Sequence, residues 1–220
     1  MGRQAVITCA DRYMGPVIKR KFESVGINVF ASFEELQSEE AVADLVNCAG
    51  DIDIVVANFA VPPQTSPVHE IKTHSWNQLF QTLVHPLMYL IRAFVPQMLE
   101  KGSGKIIAVT SAAPIRGIAN NGAYCAARGA QNGLIKAVGL ELARENIQVN
   151  AIAQNYINND IYYPDNLLDD PKFLDHVRRN VPTNKIGSAE ETAELAAYLA
   201  SENCRHIVGQ LIPLAGGWAT

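Results

Sequence analysis

Metal-binding and disulfide signatures are missing from this chain. Its four cysteines, Cys9, Cys48, Cys125 and Cys204, include no CxxC pair, and its five histidines include no HExxH-type pair. No zinc is therefore expected, and the cysteines read as free thiols of a reducing compartment. No apolar run approaches the roughly 18–20 residues of a membrane span. An excess of charge is missing too. The net charge is −4, and the one run of three basic residues is Lys19-Arg20-Lys21, expected on a solvated helix face. Such a chain has no electrostatic hold on nucleic acid or an anionic membrane. Val6 and Ile7 already read as strand, which leaves no room for a signal peptide, so a cytoplasmic protein is expected.

What is present is a long alternation of short apolar runs and helical stretches. With 48% hydrophobic and 18% charged residues over 220 positions, the chain reads as one globular domain, residues 1–220, with a full core. Strands are expected at Gln4–Cys9, Asn28–Ala31, Ile52–Ala57, Lys105–Ser111, Val149–Ala153 and Gln210–Ala215. Helices are expected at Met14–Val25, Phe33–Cys48 (capped by Ser32), His74–Glu100 (bent at Pro86 and Pro96), Gly122–Arg144, Lys172–Asn180 and Ala189–Ser201. Residues 154–170 read as irregular. Strands too apolar to alternate, separated by helices, imply an α/β fold. It is a Rossmann-like, doubly wound three-layer αβα sandwich with a mostly parallel sheet of six or seven strands. The connection from Ala31 to Ile52 is short enough that one strand common in this class is expected to be missing.

Ser111 ends a buried strand, on the edge where open parallel sheets bind ligands. Tyr124 follows thirteen residues later at a helix start, and Arg128 stands one turn beyond it on the same face. A guanidinium beside a phenol favours the phenolate. Such a tyrosine takes a proton from an alcohol near neutral pH, with Ser111 fixing the alcohol oxygen by a hydrogen bond. Arg128 is also a candidate to pass the proton toward solvent. Ala113, two residues past Ser111, is assigned to the substrate pocket.

A dinucleotide fold needs glycines in its first strand-to-helix turn, so that the pyrophosphate can approach the backbone. Here that turn reads Thr8-Cys9-Ala10-Asp11-Arg12-Tyr13-Met14-Gly15 and keeps only Gly15. The second strand ends Phe30-Ala31-Ser32, with no acid placed for a ribose hydroxyl. Asn58-Phe59-Ala60 stands where dehydrogenases carry Asn-Ala-Gly. A nicotinamide cofactor is therefore not expected.

Ser111-x12-Tyr124-x3-Arg128 resembles the short-chain dehydrogenase/reductase site with its lysine replaced by arginine. Thr8-x4-Tyr13-x-Gly15 is similar to the motif that marks halohydrin dehalogenases, and the likeness runs through Gly216-Gly217-Trp218. The resemblance implies cofactor-independent conversion of vicinal haloalcohols to epoxides, halide and a proton. It also implies the reverse opening of epoxides by azide, cyanide or nitrite. It implies a homotetramer built from dimers, with helix pairing aided by the small residues of the helix from Gly122.

That chemistry needs a site for the leaving anion, built from backbone N–H groups and ring edges rather than a gripping cation. Residues 154–164 lack Lys and Arg and suit it. Tyr13, Gln154, Asn155, Tyr156, Ile157 and Tyr163 are expected to line the halide pocket, using N–H groups around Tyr156 and Ile157. Asp160 should point away. Gln154-Asn155-Tyr156 resembles the Pro-Asn-Tyr of some halohydrin dehalogenases, with Gln154 departing from the proline. The competing readings are an NAD(P)-dependent short-chain oxidoreductase and a non-catalytic protein on this fold. Whether Trp218 reaches a neighbouring subunit's pocket is open at this point.

Overall fold

The computed structural model describes residues 2–62 and 64–220. Six strands form one sheet in the order β2-β1-β3-β4-β5-β6, and every neighbouring pair is parallel. They are β1 (Gln4–Ile7), β2 (Asn28–Ala31), β3 (Ile54–Asn58), β4 (Gly104–Ser111), β5 (Ile147–Gln154) and β6 (Leu211–Leu214). The expected α/β sandwich is what the chain forms, with six strands among the described residues, within the six or seven expected.

The helices are α1 (Gly15–Ser24), α2 (Glu39–Ala49), α3 (Thr73–Leu79), α4 (His85–Lys101), α5 (Ala113–Arg116), α6 (Gly122–Leu142), α7 (Asp165–Leu168), α8 (Pro171–Asn180) and α9 (Ala189–Ala200). Alternate residues of each strand feed opposite layers, as a pleated strand buried on both faces requires. Val6, Val55, Ile106 and Ala151 pack with α2, α4 and α6. Ile7, Ile54, Ile107 and Ile152 pack with α1 and α9. A third cluster, built on Tyr156, Val177, Val181 and Trp218, closes one end of the sheet's carboxyl edge. Among the described residues no helix is long and apolar enough to cross a membrane.

Two helix boundaries differ from the sequence expectation for identifiable reasons. The helix expected from Phe33 starts at Glu39, with Ser38 rather than Ser32 as its cap; Ser38 Oγ accepts the Ala41 N–H at 3.1 Å. Glu39 and Glu40 then sit in the first turn, where carboxylates meet the positive end of the helix. Ser32 instead remains in register with β1, donating its N–H to Ile7 and accepting from Ala10. The single helix expected over His74–Glu100 is two helices separated by a π-helical turn, Phe80–Val84. Pro86 lies in the first turn of α4, where a missing N–H costs nothing.

The turn from β1 into α1 is drawn tight. A Cβ on Gly15 would lie 2.5 Å from the Cys9 carbonyl oxygen and 2.6 Å from the Ala10 Cα, both backbone atoms that cannot step aside. Gly15→Ala should therefore destabilise the protein by about 1–3 kcal/mol, the usual range for overpacking. A urea unfolding midpoint equal to that of the wild type would contradict this packing.

Candidate active site

The carboxyl ends of β4 and β5, the β1–α1 turn and the loop after β5 enclose a cavity of about 260 Å³. Ser111, Tyr124, Gln154, Asn155 and Tyr13 line it, as do Ala113, Ile157 and Tyr163. The sequence-assigned residues are thus brought together, with two exceptions. Arg128 lies behind the wall, and Tyr156 belongs to the neighbouring cluster.

Ser111 is the last residue of β4, and its Oγ accepts the Ala113 N–H at 3.1 Å. With an acceptor position filled, its hydroxyl proton is left to donate into the cavity. Tyr124 lies in the first turn of α6, and Arg128 one turn on donates through Nε to the Tyr124 oxygen at 3.1 Å. Arg128 is fully buried, yet no Asp or Glu is buried among the described residues. Its Nη1 donates to the Val109 carbonyl at 3.3 Å and to Gln131 Oε1 at 2.9 Å, and Gln131 in turn donates to the Leu83 carbonyl. Its Nη2 donates to the Tyr162 hydroxyl at 3.3 Å. Burial disfavours the charge, but the surrounding phenols of Tyr124, Tyr162 and Tyr13 outweigh it and raise the guanidinium above its ordinary value. A cation so held does not release a proton. The expected passage of a proton through Arg128 to solvent is therefore replaced by a fixed positive charge behind Tyr124.

Tyr162 is the residue that sequence reading missed. Its hydroxyl meets Arg128, the Val61 N–H at 3.3 Å and, at 3.5 Å, the Tyr124 hydroxyl. Burial pushes its pKa well up, with Arg128 opposing. It was hidden in a Tyr-Tyr doublet whose two rings both turn inward. The device is Asn159, whose Oδ1 accepts the N–H groups of Ile161 and Tyr162, at 3.0 and 2.7 Å, and so bends the chain.

The other phenols are held in place by amides. Gln154 Nε2 donates to the Tyr13 hydroxyl at 2.8 Å, while Gln154 Oε1 accepts from Thr192 at 3.1 Å. Asn155 Oδ1 accepts both the Tyr163 hydroxyl at 2.7 Å and the Tyr156 N–H at 3.0 Å. That fixes the orientation of the Asn155 amide and leaves its NH2 as a donor group of the cavity wall. It also occupies the Tyr156 N–H that was expected to meet a halide. The Tyr156 ring stacks on Tyr163 and meets Trp218 edge-on, and its hydroxyl lies 3.0 Å from His176 Nε2. Tyr156 is thus a support for the pocket wall rather than part of it. Trp218 packs within its own chain, under the Arg116 guanidinium. Asp160 is turned to the Tyr13 N–H, accepting it at 3.0 Å, and does not line the cavity, as expected.

The fold class implies a nicotinamide dinucleotide, and the residues present do not fit one. Cys9 and Tyr13 have φ of 46° and 56°, the left-handed region that a glycine-rich turn uses. The turn keeps that backbone but carries side chains. The Tyr13 ring packs edge-on against Tyr162, and Asn58 Nδ2 ties down the carbonyls of Cys9 and Arg12. Ser32 directly follows β2 where an acid would meet a ribose, and Glu35 of the following segment faces the Arg12 guanidinium at 3.8 Å. Among the described residues no cluster of His, Cys, Asp or Glu could hold a metal ion.

Comparison with known proteins places this geometry. Residues 30–219 match the family model described as enoyl-(acyl carrier protein) reductase. The chain is 31% identical over 179 residues to dehydrogenase/reductase SDR family member 4 of Bos taurus. That match covers 81% of this chain and 63% of the bovine protein. It is 27% identical to the 3-oxoacyl-[acyl-carrier-protein] reductase of Staphylococcus epidermidis, over 99% of each. Among solved structures, one described as a dehalogenation enzyme superposes with a TM-score of 0.92 at 28% identity, covering 99% of this chain and 98% of its own. A halohydrin dehalogenase bound to ethyl (2S)-oxiran-2-ylacetate gives 0.88 at 25% identity, covering 99% and 97%.

The buried phenols set the alkaline limit of the fold. Tyr13, Tyr162 and Tyr163 all have pKa values raised, first by burial. Each holds its proton in the folded chain beyond the pH of about 10 at which an unfolded tyrosine loses it. Their contribution is complete below that pH and is lost as pH rises further, because the unfolded chain then binds fewer protons. Thermal melts should be level to about pH 9 and fall above about pH 10. A melting temperature unchanged well into that alkaline range would contradict the burial of these hydroxyls.

Proposed function

The chain belongs to the short-chain dehydrogenase/reductase superfamily, and from that membership we propose that it is a cofactor-independent halohydrin dehalogenase. The observation that carries the reading is a proton-abstracting site joined to a filled dinucleotide turn. Tyr124 rests on the buried Arg128, while the Tyr13 ring and the Asn58 tether occupy the approach a pyrophosphate would need.

In the proposed reaction the substrate hydroxyl donates its proton to Tyr124 and accepts a hydrogen bond from Ser111. Arg128 stabilises the charge that Tyr124 carries before it takes that proton. The alkoxide oxygen attacks the neighbouring carbon from behind, so that a C–O bond forms as the C–halogen bond breaks. The halogen departs with the bonding pair as halide. The products are an epoxide, a halide ion and a proton held by Tyr124, which lines the open cavity and can return it to water there. The reverse direction opens an epoxide with a small anion.

The anion subsite is assigned to the Asn155 NH2, the Tyr13 hydroxyl and the walls given by Ile157 and Tyr163. Neutral donors stabilise a small anion, and they release it more readily than a cation would. The solved neighbours described as dehalogenases support this reading at 25–28% identity. The names of the sequence relatives favour a second one, an NAD(P)-dependent reductase.

One assay separates the two. Purified protein without added cofactor, given a panel of small vicinal chloro- and bromoalcohols, should release halide. Tyr124→Phe should lower that rate by about 100- to 10,000-fold, the range for loss of a general base. An absence of halide release together with tight NADPH binding would replace the dehalogenase reading by the reductase one.

A further inference from the structure

We propose that Tyr162 is a positioning residue whose O–H hydrogen-bonds to the Tyr124 oxygen once that oxygen has lost its proton, and so selects Tyr124 as the phenol that acts as base. The proposal rests on the reading above only in the identity of the substrate; the arrangement itself is geometric. The Tyr162 oxygen receives two donors, Arg128 Nη2–H and the Val61 N–H, each at 3.3 Å. With its acceptor positions filled, it has its own O–H to give. The Tyr124 hydroxyl lies 3.5 Å away and points its own O–H at Tyr162 in this structure; once Tyr124 has lost that proton its oxygen can only accept, and Tyr162 is the donor within reach. That separation is long for two neutral hydroxyls. An ionised acceptor draws an O–H donor to about 2.5–2.7 Å, so this contact is one that strengthens when Tyr124 is charged.

The surroundings decide which phenol that is. Tyr124, Tyr162 and Tyr13 all stand near the one guanidinium, and Tyr163 follows Tyr162 on its loop. Tyr162 and Tyr13 line the same cavity, but the greater burial of their hydroxyls favours their protonated forms. Tyr124 lines the open cavity, with Ser111 as its neighbour from β4. No Asp or Glu is buried among the described residues, so no carboxylate competes for the charge. The Tyr162 ring is held edge-on to both Tyr13 and Tyr124, with centroids 5.6 and 6.3 Å apart, and the Asn159 turn fixes its backbone. One cation and one hydroxyl then converge on a single oxygen, by analogy with the donors of an oxyanion hole.

The test needs no substrate. Ultraviolet difference titration reads phenolate formation directly in the wild type, Tyr124→Phe and Tyr162→Phe. Phenylalanine keeps both ring contacts, and thermal melts check that the fold is retained. The lowest phenolate step should vanish in Tyr124→Phe. In Tyr162→Phe it should move up by about one pH unit, the effect of removing one hydrogen bond to a charged group. The alkaline rise of kcat/KM for halide release should move with it. A phenolate step at the same pH in Tyr162→Phe and wild type would overturn the proposal. An absence of halide release from the wild type would instead overturn the dehalogenase reading and leave the titration result standing.

Discussion

A guanidinium removed from water without a carboxylate partner is the constraint on which this site depends. Taking such a cation into the interior costs several kcal/mol unless its donors are met. Arg128 meets that demand with two carbonyl-type oxygens on one side, from Val109 and Gln131, and two phenols on the other. Carbonyls offset part of the desolvation but bring no opposite charge. The uncompensated remainder is a standing preference for negative charge on the oxygen nearest to it. A carboxylate at the Gln131 position would neutralise that preference. The amide of Gln131, tied on to the Leu83 carbonyl, orients the guanidinium without cancelling it.

The dinucleotide turn shows a second economy of the fold. Its backbone remains in the conformation that glycines make easy, at Cys9 and Tyr13, although a side chain in the left-handed region costs roughly 1–2 kcal/mol. The Asn58 amide holds the carbonyls of Cys9 and Arg12, and the Asp160 carboxylate holds the Tyr13 N–H. These bonds fix the strained conformation from both sides. The return for the strain is position: Tyr13 projects across the carboxyl edge of the sheet into the cavity wall, a place that an ordinary helical turn would not reach.

Much of this was legible in the sequence, and the limits are instructive. Ser111, Tyr124 and Arg128 could be placed because strand ends and helix spacing are local and periodic. The sheet could be read from its apolar runs. Ser32 was mistaken for a helix cap because it precedes two glutamates. Ser38 does the same before Glu39 and Glu40, and propensity could not show that Ser32 stays bonded to the end of β1 while the chain turns before Ser38. Tyr156 was assigned to the pocket and Tyr162 was overlooked for a related reason. Which rings of the loop face the cavity is set by the Asn159 turn and by the left-handed φ of 53° at Tyr156. Neither follows a period that a sequence displays.

Gln154 was the position where the expected pattern failed, and the structure gives the substitution a function. A proline there could not reach the Tyr13 hydroxyl; the glutamine does, and it is itself anchored by Thr192. With its oxygen accepting from Gln154, Tyr13 has a proton free for the cavity, and burial ensures that the proton stays on. The polar residues at 13 and 154 therefore belong together. They turn an apolar wall into a neutral donor. Among the described residues the only buried guanidinium, Arg128, stands behind Tyr124 and does not line the cavity. In the proposed reaction this separates two demands that one cation could not meet at once, a strong field on the base and a weak hold on the departing anion.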